Sequence, residues 1–151
     1  MRSRTANWFL CKIRYEKTME DGMEKKVTEQ FVVNALSFTE AEANIIHEMQ
    51  SYISGEYNIE EIDRCPWGEV FFDDKENSDK WYKSKLQFIT IDEKTEKEKK
   101  TTVNYLVQGA TLEEARKNID EVMGGTMIDY TISSVSETKI LDVFEVIMDK
   151  S

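Results

Sequence analysis

Two tryptophans, each with cations beside it, are the side chains best suited to chemistry in this chain. Trp8, Lys12 and Arg14 fall on one parity of a residue-by-residue alternation, and Trp81, Lys83 and Lys85 repeat the pattern further on. Two later stretches add Lys26 with Thr28, and Lys100 with Thr102. Alternate side chains of a β-strand share a face, so each group would present an indole together with ammonium or guanidinium groups. Single-stranded nucleic acid is held by that combination: rings stack on bases, cations follow phosphates, and stacking contributes about 1–3 kcal/mol per base. The expected nucleic-acid-binding set is therefore Trp8, Lys12, Arg14, Lys26, Trp81, Lys83, Lys85 and Lys100. The plainer reading is that both indoles pack as core or interface and the lysines clothe a wetted sheet face.

Other chemistries find little support. His47 is the only histidine, so a histidine-based triad or a multi-histidine metal site cannot be assembled within one chain. Gly124 and Gly125 follow a predicted helix instead of opening one, which makes them a stop signal and not a phosphate loop. Glu40 and Glu114 have sufficient roles in helix caps. Cys11 and Cys65 are too far apart for a local metal pair and too few for a disulfide framework, so both are expected as buried thiols. No catalytic residue, metal or cofactor is expected, and a magnesium ion held by carboxylates is the minor alternative.

Both tryptophan stretches belong to a duplicated unit. At an offset of 73, Trp8 pairs with Trp81, Phe9 with Tyr82, Lys12 with Lys85 and Tyr15 with Phe88. After one extra turn residue, an offset of 74 pairs Lys26 with Lys100, Phe31 with Tyr105, Glu40 with Glu114 and Met49 with Met123. Residues 7–16 alternate with Phe9, Cys11, Ile13 and Tyr15 inward, Asp21 and Gly22 make a turn, and residues 27–35 return. Ser37 with Glu40 predicts a capping box. The helix that follows carries its apolar stripe on Phe38, Ala41, Ile45, Met49, Tyr52 and Ile53. Residues 57–62 and 69–72 read as third and fourth strands around a turn at Pro66, and the second copy repeats this order.

The predicted architecture is α+β: a tandem ββαββ repeat whose pseudo-twofold antiparallel sheets pack on two helices. One domain is expected over residues 1–151, with repeats at 7–72 and 80–148 and an acidic connector at 73–79. A lone half of roughly 70 residues would bury only about 60% of its unfolded surface, which favours joint packing of the halves.

The net charge is −10, with 40% hydrophobic and 33% charged residues, a balance that excludes wholesale disorder. Acid is unevenly spread: residues 36–79 hold 12 Asp and Glu against Arg64 and Lys75, whereas residues 81–109 hold 4 against 6 lysines. The hairpins are thus the least acidic parts of an acidic chain. No run approaches the roughly 18 apolar residues that would cross a bilayer, and the first seven residues lack a signal-like apolar block. A cytoplasmic location without membrane contact is expected.

Residues 8–17, residues 35–43, and residues 81–86 followed by 97–100 resemble a known family of uncharacterised proteins of this length, found in gut bacteria and their phages. The resemblance spans nearly the whole chain. It implies a small cytoplasmic protein of phage or mobile-element origin and supplies no activity. The doubled strand-and-helix order is also similar in topology to the Whirly and Pur-repeat proteins, which bind single-stranded nucleic acid on a curved sheet; fold alone does not carry function.

Two functional expectations follow. The first is a non-enzymatic single-stranded nucleic-acid-binding protein. The alternative is an acidic protein-interaction or assembly module, or a nucleic-acid mimic, that binds a protein partner and uses Trp67 as an anchor. An unpaired edge strand in each half offers a route to a homodimer.

Overall fold

Each repeat opens with a long hairpin, as the alternation predicts. The computed structural model describes residues 1–147, so the final residue of the predicted second repeat, at 148, lies outside the described residues. In the first repeat β2 (Trp8–Thr18) pairs antiparallel with β3 (Glu24–Asn34). In the second, β6 (Lys80–Ile91) pairs in the same way with β7 (Glu98–Gly109). The first turn needs Gly22, whose φ of 82° lies in the left-handed region that side chains disfavour.

A helix follows each hairpin. α1 (Phe38–Tyr52) is capped by Ser37, whose Oγ accepts the Glu40 amide at 3.1 Å, while Glu40 accepts the Leu36 amide at 3.3 Å. α2 (Leu112–Gly124) is capped by Thr111, which accepts the Glu114 amide at 3.1 Å. The Glu114 carboxylate turns to Lys75 at 3.7 Å, so the second predicted box is held through its hydroxyl arm. α1 buries Ala41, Ile45 and Met49 against Phe9, Cys11, Ile13, Phe31 and Val33. α2 buries Ala115, Ile119 and Met123 against Tyr82, Leu86, Tyr105 and Val107.

The third strands, β4 (Tyr57–Arg64) and β8 (Asp129–Glu137), pair with β2 and β6. Both carry a bulge at the same place. Lys12 faces Glu61 while Ile13 faces Ile59, and Lys85 faces Ser134 while Leu86 faces Ile132, leaving Glu60 and Ser133 as the extra residues. The bulge explains why Tyr57, Ile59 and Ile62 all turn toward the helix although their spacing changes from two to three.

The fourth strands depart from the sequence-based expectation of purely antiparallel sheets. β5 (Glu69–Phe72) joins β7 of the other repeat, and β9 (Ile140–Phe144) joins β3, both in parallel. The sheets are therefore β4-β2-β3-β9 and β1-β5-β7-β6-β8. The chain divides into two compact units along the same lines: Ala6–Cys65 with the segment from Lys139, and Met1–Thr5 with Pro66–Thr138. Neither unit is one repeat. Composition accounts for the destination of β5: Val70, Phe71 and Phe72 are at most 5% exposed. A strand apolar on consecutive residues needs cover on both faces and suits an interior parallel position, whereas the alternating β4 suits an edge. β1 (Arg2–Thr5) covers the other side of β5, with the Arg2 guanidinium 4.2 Å from the centre of the Phe72 ring. The polar sequence of β1 gave no strand signal.

Matched contacts secure the exchanged strands. Phe144 stacks on Phe31 at 5.7 Å between ring centres, and Phe71 stacks on Tyr105 at 4.7 Å. Beyond each strand a buried or half-buried amide closes the end. Asn34 accepts the Val146 amide at 2.6 Å and donates to its carbonyl at 3.0 Å. Gln108 accepts the Asp73 amide at 2.9 Å and donates to the Ser78 carbonyl at 2.7 Å. Asn44 and Asn118, one on each helix, donate to the carbonyls of Asn34 and Gln108. Part of the predicted connector is thus structural: Asp73 and Ser78 are buried, and Asp73 accepts from the Ser78 hydroxyl and the Asn118 amide.

Candidate functional site

The predicted binding residues lie on the sheet faces turned away from the helices, as their parity requires. In the first sheet that face carries Trp8, Lys12, Arg14 and Lys26, and in the second Trp81, Lys83, Lys85 and Lys100. The indoles are not open on these faces. Trp8 is 2% exposed and Trp81 3%, with Trp81 edge-on to Phe72 at 5.6 Å. Trp67, the predicted partner anchor, is buried at 5%. Alternation identifies which side of a strand a residue occupies and is silent on whether that side is covered.

The cations divide by repeat. On the first sheet Lys12 Nζ lies 3.0 Å from Glu61 on the neighbouring strand β4. The bonded Lys12 ammonium holds the Glu61 carboxyl below its usual range, and Asp63, hydrogen-bonded to Glu61, is pushed above its own. Arg14 and Lys26 line a cleft of about 460 Å³ with Glu16, Glu24, Glu56 and Asn58. Every cation of this face therefore has carboxylates for company.

On the second sheet the corresponding cross-strand positions are hydroxyls. Lys85 faces Ser134 where Lys12 faces Glu61, and Lys83 faces Ser136 where Leu10 faces Asp63. Lys83 and Lys85 are exposed and form no ion pair among the described residues. Asn104, Thr102 and Gln87 extend the surface, Gln87 donating to the Thr102 hydroxyl at 2.8 Å. Lys100 is exposed farther along, opposite Ile89. Ser134 and Ser136 were absent from the predicted set, although the offset of 73 that pairs the repeats also pairs them with Glu61 and Asp63.

The outer boundary of this surface is an open strand edge. β8 is the last strand of its sheet, and residues 130–136 carry no charge. β4, its counterpart, carries Glu60, Glu61, Asp63 and Arg64 along its edge. Charged side chains are a standard guard against strand addition, and β8 lacks them between Asp129 and Glu137.

His47 is exposed on α1. Burial pushes the Cys11 thiol up to about 12 and raises Cys65 as well, which disfavours the reactive thiolate. Among the described residues no three His, Cys, Asp or Glu side chains gather as metal ligands would, and no helix is long and apolar enough to cross a membrane.

The molecule is thus a duplicated α+β protein with exchanged fourth strands, and in its second sheet Lys83 and Lys85 face serines on a strand with an open edge. Residues 7–146 match a family model described as a domain of unknown function, DUF4494, and the chain belongs to that family. No curated protein and no solved structure matches it.

Proposed function

We propose that this protein is a non-enzymatic binding module that acts through contact with another protein. The observation that supports this over nucleic-acid binding is the burial of Trp8 and Trp81, at 2% and 3% exposure. A stacking platform needs open ring faces, and the helix-free faces offer cations without exposed indoles. The net charge of −10 works in the same direction, because repulsion from phosphates must be overcome by local contacts. Three arms of the first sheet's cation set lie beside carboxylates, which further reduces the phosphate-tracking surface expected from sequence.

Labelled oligo-dT titrated with the whole protein at low salt tests the choice. Unchanged anisotropy, together with a protein complex from the native host that survives nuclease, is the expected result. Salt-sensitive oligo-dT binding, or a complex that nuclease dissolves, would overturn the reading in favour of single-stranded nucleic acid.

A further inference from the structure

We propose that the β8 edge takes an extended peptide segment of the partner as an added strand, and that this segment alternates acidic with apolar residues. The inference rests on the protein-contact reading above and names the partner's chemistry. Three observations carry it: an open edge, an acid that one repeat has and the other lacks, and a half-buried apolar row on the opposite face.

β8 uses one side of its backbone for β6 and leaves the other side without a strand partner among the described residues. Such an edge is a template for strand addition. The first sheet shows what a lysine at this position seeks. Lys12 reaches across to the edge strand and meets Glu61 at 3.0 Å. Lys85 stands at the matching rung and finds Ser134, and its neighbour Lys83 finds Ser136. These small side chains leave the path to the edge low. A strand added outside β8 would lie about 9.6 Å from β6, two strand spacings. A lysine leaning outward over a serine and a glutamate leaning back from the added strand cover that gap between them. The carboxylate that β4 provides within the chain would then come from the occupant.

The other face of the added strand would continue the row of Tyr130, Ile132 and Val135, which are only half-buried at the margin of the α2 core. Exposed Met127 and Ile128 extend that apolar margin before β8 begins. Acid on the lysine side and apolar groups on the helix side define a period-two segment. The guarded β4 edge, with its own carboxylates, would repel the same segment.

The test uses the full chain and a fluorescent peptide of alternating valine and glutamate, with valine–serine and valine–lysine peptides and oligo-dT as comparators. The valine–glutamate peptide should bind at least about tenfold more tightly than either comparator peptide, weaken with salt, and slow amide hydrogen exchange at alternate residues of β8. Lys83→Glu with Lys85→Glu should reverse the preference toward the lysine peptide. Both positions are exposed, so an unchanged far-UV spectrum and melting temperature would confirm that the variant folds. Equal binding of the valine–serine peptide with β8 protection would overturn the acidic occupant while leaving protein contact intact. No β8 protection by any peptide would overturn strand addition. Protection that grows with protein concentration alone would assign the edge to a second copy and overturn the proposal. Oligo-dT binding that displaces the acidic peptide would overturn both this inference and the reading beneath it.

Discussion

At the same rung of two sheets a lysine meets a glutamate in one and a serine in the other. Lys12 and Glu61 close a surface ion pair, whereas Lys85 and Ser134 leave a cation facing a small hydroxyl. The backbone around them is nearly unchanged, down to a bulge between the same two rungs. Ladder hydrogen bonds involve the main chain and tolerate most side chains, so a duplicated strand can keep its register while its face changes chemistry. What this teaches is that the repeats share a scaffold and differ in surface: the first is internally compensated, the second has cations and an edge to spare.

The strongest way to break the comparison is to remove what both repeats share. Phe31→Ala and Tyr105→Ala should each destabilise the protein by about 3–5 kcal/mol, measured by urea unfolding, because each deletes the ring on which an exchanged strand stacks. A loss confined to one of the two would show that the exchanged strands are not held in the same way.

The amide clasps come next. Asn34→Ala leaves the Val146 amide and carbonyl without their side-chain partner, and Gln108→Ala does the same to the Asp73 amide and the Ser78 carbonyl. Each should cost about 2 kcal/mol in the same assay. Hydrogen exchange should quicken first in β9 for the former and in β5 for the latter.

The surface difference can be sharpened by making the repeats alike. Ser134→Glu should recreate the Lys12–Glu61 pair with Lys85 and change stability by under about 1 kcal/mol, since exposed pairs contribute little. It should nevertheless abolish binding of the valine–glutamate peptide, because the cation is then satisfied from within.

Acid should act on the two exchanged strands in opposite directions, with the smallest effect on overall stability. Burial pushes Asp73 upward, but hydrogen bonds from Ser78, Asn118 and the Lys75 amide, with the Lys75 charge, leave its carboxyl below the ordinary value of 3.8. Its stabilisation is complete above that value and is lost as pH falls through the depressed one. Burial raises Asp142 above 3.8 despite a bond from the Val143 amide. Its ionised form therefore penalises the fold at neutral pH, and the penalty is relieved as pH falls through the raised value. NMR titration of the side-chain carboxyl carbons should place the Asp142 midpoint above the Asp73 midpoint; the reverse order would refute this assignment.

Much of the local structure was legible because its causes are local. The hairpins, both helix starts and the strand at 69–72 follow from alternation, capping residues and turn residues within a few positions. β1 escaped notice because four polar residues pair only in the presence of the apolar β5. The clasp residues escaped because an asparagine and a glutamine at strand ends look like ordinary loop polarity until their distant backbone partners are known. The pairings place all eight residues of the predicted set on the helix-free faces, and Trp8 and Trp81 are buried there, in line with the plainer reading of the two indoles as core or interface.

The sequence by itself determined the duplication, the order of elements within each repeat and the face each hairpin residue takes, since these depend on neighbours within one turn or one strand. Only the tertiary structure decided that the fourth strands change sheets, that the indoles are covered and that Lys85 lacks the acid Lys12 has found. Those outcomes depend on pairing between residues far apart in the chain, where side-chain period is the same whether a face is sealed or open.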